Sequence, residues 1–151
     1  VVLLKSANDL CLVKLMVGPG HAGPAGAPST SKGIGIEVWL PAPGNWNGRI
    51  HAFGGGGWQG GMHGSPEAIV FPMGAAVAGA EGAVVSQTDT GHGGIADLNE
   101  SMRSGSFAMK PDGSVNEVLW KDFASRAIDE QAVKTRALAT AWYGAPPRYA
   151  W

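Results

Sequence analysis

The feature that most constrains this chain is a short apolar segment, residues 49–53 (Arg-Ile-His-Ala-Phe), running straight into Gly54, Gly55, Gly56 and Gly57 and then Trp58-Gln59-Gly60-Gly61. The segment reads as a strand and the run as a glycine loop. Glycines carry no side chain, so their amides can come very close to another group. A strand that ends in such a loop is where α/β enzymes hold an anion, a phosphate or a developing oxyanion. The plainer alternative is a flexible surface turn, because glycine runs are common at strand ends.

Three chemistries compete for the loop. Gly55-x-Gly57-x-x-Gly60 formally matches the dinucleotide fingerprint. That motif must turn directly into a helix whose amino end faces the pyrophosphate. Residues 58–61 make a poor helix start, and no acidic residue with a following strand lies at the right distance. A Walker loop is excluded because no Gly-Lys-Ser/Thr follows. An oxyanion loop fits better. In α/β-hydrolases one oxyanion amide comes from the loop after the third strand and the other from the residue after the nucleophile. Gly55, Gly56 and Gly57 are therefore the oxyanion-hole candidates.

The order of elements agrees with that fold. Residues 11–17 read as a strand ending at Gly18-Pro19-Gly20, and residues 18–32 as an exposed connection in which His21 is solvated. Residues 34–40 alternate Ile34, Ile36, Val38 and Leu40 against Gly35, Glu37 and Trp39, a strand with one buried face. After a short turn comes the 49–53 strand, expected to lie beside the previous one. Ser65-Pro66-Glu67 is a helix start cut short by Pro72, and residues 73–80 form a second short helix. Residues 83–87 are a continuous buried-type strand, so strand, helix and strand predict a parallel crossover.

Asp89 and His92 follow just beyond the carboxyl end of that strand, the edge at which ligands bind in open α/β sheets. They are expected at the same rim as the glycine loop, as pocket or buttressing residues. Trp58 is a candidate lining residue of the acyl pocket, or a structural aromatic. Two possible metal ligands without a third do not make a site, so Asp89 and His92 read as a turn cap and a locally bonded side chain rather than as a metal centre. Residues 95–113 read as irregular. Ser114 with Glu117 is a capping box, opening a helix to Tyr143 with Ala124, Ile128, Thr135, Leu138 and Trp142 along one stripe. Asp122–Arg126 and Glu130–Lys134 are i,i+4 pairs expected on its wetter face. Gly144 and Pro146-Pro147 end the helix, and residues 148–151 open another strand.

The balance of residues sets outer bounds. With 44% hydrophobic and 15% charged residues in a chain of 151, a folded single domain is expected. A net charge of −1 gives no basic footprint for nucleic acid and no cationic face for anionic lipid. No apolar run reaches the length of a membrane span, and Lys5 ends the apolar start too soon for a signal-peptide core. The missing initiator Met points to a mature chain or a fragment. The one cysteine, Cys11, reads either as a small buried side chain or as half of a disulfide with a partner outside this chain.

Together these segments resemble the tannase and feruloyl esterase family of serine esterases. The residues that carry the resemblance are Val38-Trp39-Leu40-Pro41, Trp46-Asn47-Gly48-Arg49, Gly54 to Gly57, Ser86-Gln87-Thr88-Asp89-Thr90-Gly91-His92, Trp120-Lys121-Asp122-Phe123-Ala124-Ser125-Arg126-Ala127, Lys134, and Trp142-Tyr143-Gly144 with Pro147 and Tyr149. The resemblance implies an α/β-hydrolase that cleaves esters of phenolic acids and carries a large lid domain, in which a structural calcium commonly sits. It implies a nucleophile turn resembling Gly-Cys-Ser-x-Gly-Gly a few residues after Tyr149, with its Cys disulfide-linked to one beside the catalytic His, and secretion or a periplasmic location. None of the triad lies in these residues. No serine here sits in a G-x-S-x-G turn, and in Gly64-Ser65-Pro66 the proline has no N–H for an oxyanion. The expectation is the amino-terminal part of an α/β-hydrolase, strands 1–4 with two helices and the start of strand 5, inactive alone and with no cofactor of its own. The alternative is a non-catalytic binding module of the same fold; an unpaired fifth strand argues against it.

Overall fold

Among the described residues, five strands form one sheet in the order β1-β2-β4-β3-β5. The structure is a computed structural model and describes residues 9–18, 33–60, 72–92 and 102–151. The helix start expected at Ser65-Pro66-Glu67, His21 with most of its connection, and the first part of the 95–113 segment lie outside the described residues.

β1 (Leu10–Val17) pairs antiparallel with β2 (Ile34–Pro41), Val13 opposite Val38. β2 pairs antiparallel with β4 (Val84–Thr88). β4 runs parallel to β3 (Arg49–Phe53), as the strand-helix-strand pattern predicts, with α1 (Pro72–Glu81) as the crossover. β5 (Tyr149–Ala150) lies parallel to β3 on its other side.

The expected adjacency of β2 and β3 is corrected. A short connection joins them, but β4 sits between them. Ile34, Ile36, Val38, Leu40, Ile50 and Val84 on one face of the sheet pack with Ala127 and Ala139 of a long helix. Trp39 and Val85 on the other face pack with Ala78 of α1. β2 is therefore buried on both faces, not one, and every residue of it is buried. Glu37, read as solvent-facing, is 1% exposed and its Oε1 lies 2.8 Å from Lys14 Nζ on β1. A buried carboxylate requires such a partner.

The long helix begins as α2 (Glu117–Lys121), passes through a π-helical segment (Asp122–Arg126) and continues as α3 (Ala127–Tyr143). Its cap is Asn116, whose Oδ1 accepts from Leu119 N, rather than Ser114, whose N–H and hydroxyl both turn to Asp112 Oδ1. The expected stripe holds at Thr135, which is buried, and at Leu138, which packs against the core, and is corrected elsewhere. Ala124 is exposed, Ile128 and Trp142 are 50% and 46% exposed, and the buried face is Ala127, Gln131, Thr135 and Ala139. Asp122 and Arg126 do pair, at 3.1 Å, but Asp122 is fully buried rather than on a wet face. Glu130 and Lys134 pair on the surface as expected. Cys11 is a free thiol, half-buried against the helix side of the sheet.

Candidate functional site

The carboxyl ends of β3 and β4 deliver two loops to one edge of the sheet, and those loops are bonded together. β3 hands over to residues 54–57, all exposed. The loop closes in a turn in which Gln59 N donates to Gly56 O at 3.0 Å. The Gln59 side chain folds back beneath it, and its Oε1 accepts from Gly56 N at 3.0 Å. Among the described residues, no acceptor meets the amides of Gly55 and Gly57. Gly57 has φ +58°, and a Cβ there would stand 2.5 Å from Met102 O. Only glycine fits that backbone comfortably.

β4 hands over to Asp89-Thr90-Gly91-His92, all buried. Asp89 is 4% exposed, and its Oδ1 accepts from Gly35 N at 2.8 Å and Gly91 N at 2.9 Å. It thus caps turn amides and ties the start of β2 to the end of β4. His92 Nε2 lies 2.8 Å from Trp58 O. A carbonyl only accepts, so Nε2 carries the proton. Its Nδ1 lies 3.0 Å from Thr90 Oγ1, which also reaches the carbonyl oxygens of Gln59 at 3.2 Å and Asp89 at 2.8 Å. The Trp58 carbonyl is therefore held from the β4 turn by His92, while the single Thr90 hydroxyl proton is shared among the carbonyls of Asp89 and Gln59 and the unprotonated His92 Nδ1. The approach is close: a Cβ on Gly60 would meet His92 O at 2.6 Å and its ring at 2.7 Å.

Aromatic rings close one side. His92 stacks on Phe107 with centroids 3.6 Å apart and planes at 5°. Trp58 lies 5.4 Å from Phe123, 5.7 Å from Trp120 and 6.4 Å from Phe107. Phe123 belongs to the π-helical segment, where Asp122 lies beneath the β4 turn: a Cβ on Gly91 would meet Asp122 Cβ at 2.9 Å. Such π segments often mark functional positions in helices.

The sequence-predicted residues Gly55, Gly56, Gly57, Trp58, Asp89 and His92 thus come together at one rim, with different roles. The Gly56 amide is already occupied. The Asp89 carboxylate serves backbone. Trp58 sits in a ring cluster. Reading the sequence missed Gln59, Thr90, Gln131 and the rings Phe107 and Phe123. Gln131 of α3 is 1% exposed, and its Nε2 donates to Phe53 O at 3.3 Å and Ser86 Oγ at 3.1 Å, just where β3 enters the glycine loop. Polar residues amid small and apolar neighbours were the available signal. Among the described residues no group of three or more His, Cys, Asp or Glu could hold a metal ion, and no helix is long and apolar enough to cross a membrane.

Residues 22–151 match the family model described as tannase and feruloyl esterase. The chain is 33% identical over 146 residues to a probable feruloyl esterase of Arthroderma benhamiae, covering 95% of this chain and 23% of that protein. Its fold is similar to that of the tannin acyl hydrolase from Aspergillus niger, with a TM-score of 0.57 at 21% identity over 92% of this chain and 26% of the other. It is also similar to feruloyl esterase B from Aspergillus oryzae, with a TM-score of 0.57 at 20% identity over 98% and 29% of the two chains. The chain spans about a quarter of the length of these relatives. A sheet ordered β1-β2-β4-β3-β5 around a glycine loop, and a family match that runs through that loop and the β4 turn bonded to it, lead to one conclusion: the chain belongs to the tannase and feruloyl esterase family.

Proposed function

We propose that these residues are the amino-terminal part of a secreted or periplasmic carboxylic ester hydrolase with an α/β-hydrolase sheet. Its substrates are small esters of phenolic acids, and residues 54–57 supply one arm of the oxyanion hole. The observation that carries this reading is the position of the loop relative to β5. The loop leaves the carboxyl end of β3, and β5 runs parallel to β3 in the next sheet position. Trp151 N donates to Ile50 O and Ala52 N donates to Trp151 O, at 3.2 and 2.8 Å, so the strand after Ala150 advances toward the loop. In this reading a nucleophile on a turn following β5 would stand beside the amides of Gly55 and Gly57, which meet no acceptor among the described residues.

In ester cleavage an activated hydroxyl adds to the carbonyl carbon and negative charge collects on the carbonyl oxygen. Amides already aimed at that oxygen stabilise the charge without reorganising, and each is worth ~10²–10³ in rate. His92 holds the loop through the Trp58 carbonyl, Thr90 lies against the Gln59 carbonyl, and Asp89 holds the turn that carries them. They act on the loop rather than on substrate. The names of the relatives, feruloyl esterase and tannin acyl hydrolase, agree with ester chemistry. No serine of these 151 residues sits in a G-x-S-x-G turn, so in this reading the nucleophile and its partners belong to other parts of the whole enzyme.

The test uses the whole enzyme that carries this segment. Gly55→Pro removes one amide hydrogen at a residue whose φ is not positive and whose N–H serves no described acceptor. Turnover of methyl ferulate and methyl gallate is expected to fall ~10²–10³-fold in kcat with little change in KM. A variant that melts like the parent and turns over at the parental rate overturns the assignment.

A further inference from the structure

We propose that Gln59 is a positioning residue of the oxyanion loop. By taking the Gly56 amide it leaves Gly55 and Gly57 as the amides that face developing negative charge. The inference rests on reading the loop as part of an oxyanion hole.

Both polar backbone groups of Gly56 are engaged by one residue. Gln59 Oε1 accepts from Gly56 N, and Gln59 N donates to Gly56 O, each at 3.0 Å. The side chain that does this is buried, 9% exposed, and lies against Gly55, where a Cβ would stand 3.1 Å from Gln59 Cβ. Gln59 is itself anchored through the preceding carbonyl, that of Trp58, which accepts from His92 Nε2 at 2.8 Å. A run of glycines loses more conformational freedom on ordering than any other sequence. Oxyanion donors help only if they are held in place before the reaction. Among the described residues, the side chain hydrogen-bonded to the run is that of Gln59.

The choice of an amide over a carboxylate also follows. A glutamate at this position would bond the Gly56 amide equally well, but would set a full negative charge beside the place where the ester oxygen becomes negative. A neutral carbonyl oxygen holds the loop without opposing the transition state.

Two variants of the whole enzyme separate this role from mere packing. Gln59→Met keeps the shape and removes the acceptor. Amide exchange at Gly56 is expected to speed up about tenfold or more, and kcat to fall about tenfold or more with KM within about twofold. Gln59→Glu keeps the acceptor and adds charge, so Gly56 exchange is expected to stay slow while kcat falls about tenfold or more. Parental kcat in either folded variant overturns the proposal, as does parental Gly56 exchange in Gln59→Met. If Gly55→Pro abolishes turnover while Gln59→Met leaves it intact, only the role of Gln59 fails. If both leave turnover intact, the oxyanion reading of the loop fails with it.

Discussion

Gly56 and Gly57 are identical in sequence and opposite in what they tolerate. Gly57 is held at φ +58°, and a Cβ there meets Met102 O at 2.5 Å, a backbone atom that itself accepts from Trp58 N at 3.2 Å. At Gly56 the nearest contact is the flexible end of Met102, its Sδ at 3.7 Å. Gly57→Ala is expected to destabilise by about 1–3 kcal/mol through strain and the clash. Gly56→Ala is expected to stay within about 0.5 kcal/mol of the parent, because alanine also narrows the unfolded ensemble. Urea midpoints at unchanged m-value measure both. Equal losses at the two positions would mean that the loop is not held in the conformation described. The run of glycines was legible as a special backbone, but which glycine is obligatory depends on Met102, a neighbour 45 positions away in the chain from Gly57. Asp89 is similar. Its place at the rim follows from local order, yet its partner Gly35 comes from β2 through a pairing that a short β2–β3 connection misrepresents.

At the level of elements, the long helix shows where pattern reading stops. A stripe of Ala124, Ile128, Thr135, Leu138 and Trp142 was expected to mark the buried face, and of these Thr135 is buried and Leu138 packs against the core. The π-helical segment at Asp122–Arg126 shifts the phase of the side chains before and after it, so one period does not span residues 117–143. The face that reaches the sheet is also small or polar: Ala127, Gln131, Thr135 and Ala139 are each at most 1% exposed. A helix lying close to a sheet has room for such residues and leaves Ile128 and Val133 outside, 50% and 53% exposed. Hydrophobic periodicity is blind to that arrangement. The strands, by contrast, were legible as elements from period two and continuous apolar runs, although in β2 the alternation marked the strand and not its burial, since Glu37 and Trp39 are buried too. Gln131 gives the element-level prediction. Its Nε2 serves Ser86 Oγ and Phe53 O across the helix–sheet interface. Gln131→Leu is expected to cost about 1–3 kcal/mol, since it leaves those buried oxygens short of a donor. Adding Ser86→Ala is expected to recover part of the loss, because both ends of one hydrogen bond are then apolar. A double-mutant cycle in urea that shows simple additivity would remove Gln131 as the tie between α3 and the strand ends.

Across the whole molecule, one side chain joins three regions of the fold and makes stability depend on pH. Tyr143, the last residue of α3, stacks on Trp46 ahead of β3 with centroids 3.8 Å apart, and its hydroxyl donates to Pro41 O at the end of β2 at 2.7 Å. Burial pushes the phenol above its ordinary range, and the nearby Cys11 thiol pushes in the same direction. A group whose folded pKa is raised favours the fold while it is protonated. Its contribution is complete below the unfolded value of about 10 and is lost as pH rises through the higher folded value. The parent is therefore expected to lose stability above about pH 10 more steeply than Tyr143→Phe. At neutral pH the variant should be the less stable of the two by about 0.5–1.5 kcal/mol, the net worth of one hydrogen bond. Lysines titrate over the same range in both proteins, so the difference between the two stability curves isolates the phenol. Urea denaturation from pH 7 to 11 reads that difference directly: a gap that narrows as pH rises supports the account. A gap that stays constant through pH 11 would show that the hydroxyl is as free to ionise in the fold as in the unfolded chain, and that the end of α3 is not locked onto the sheet through Pro41.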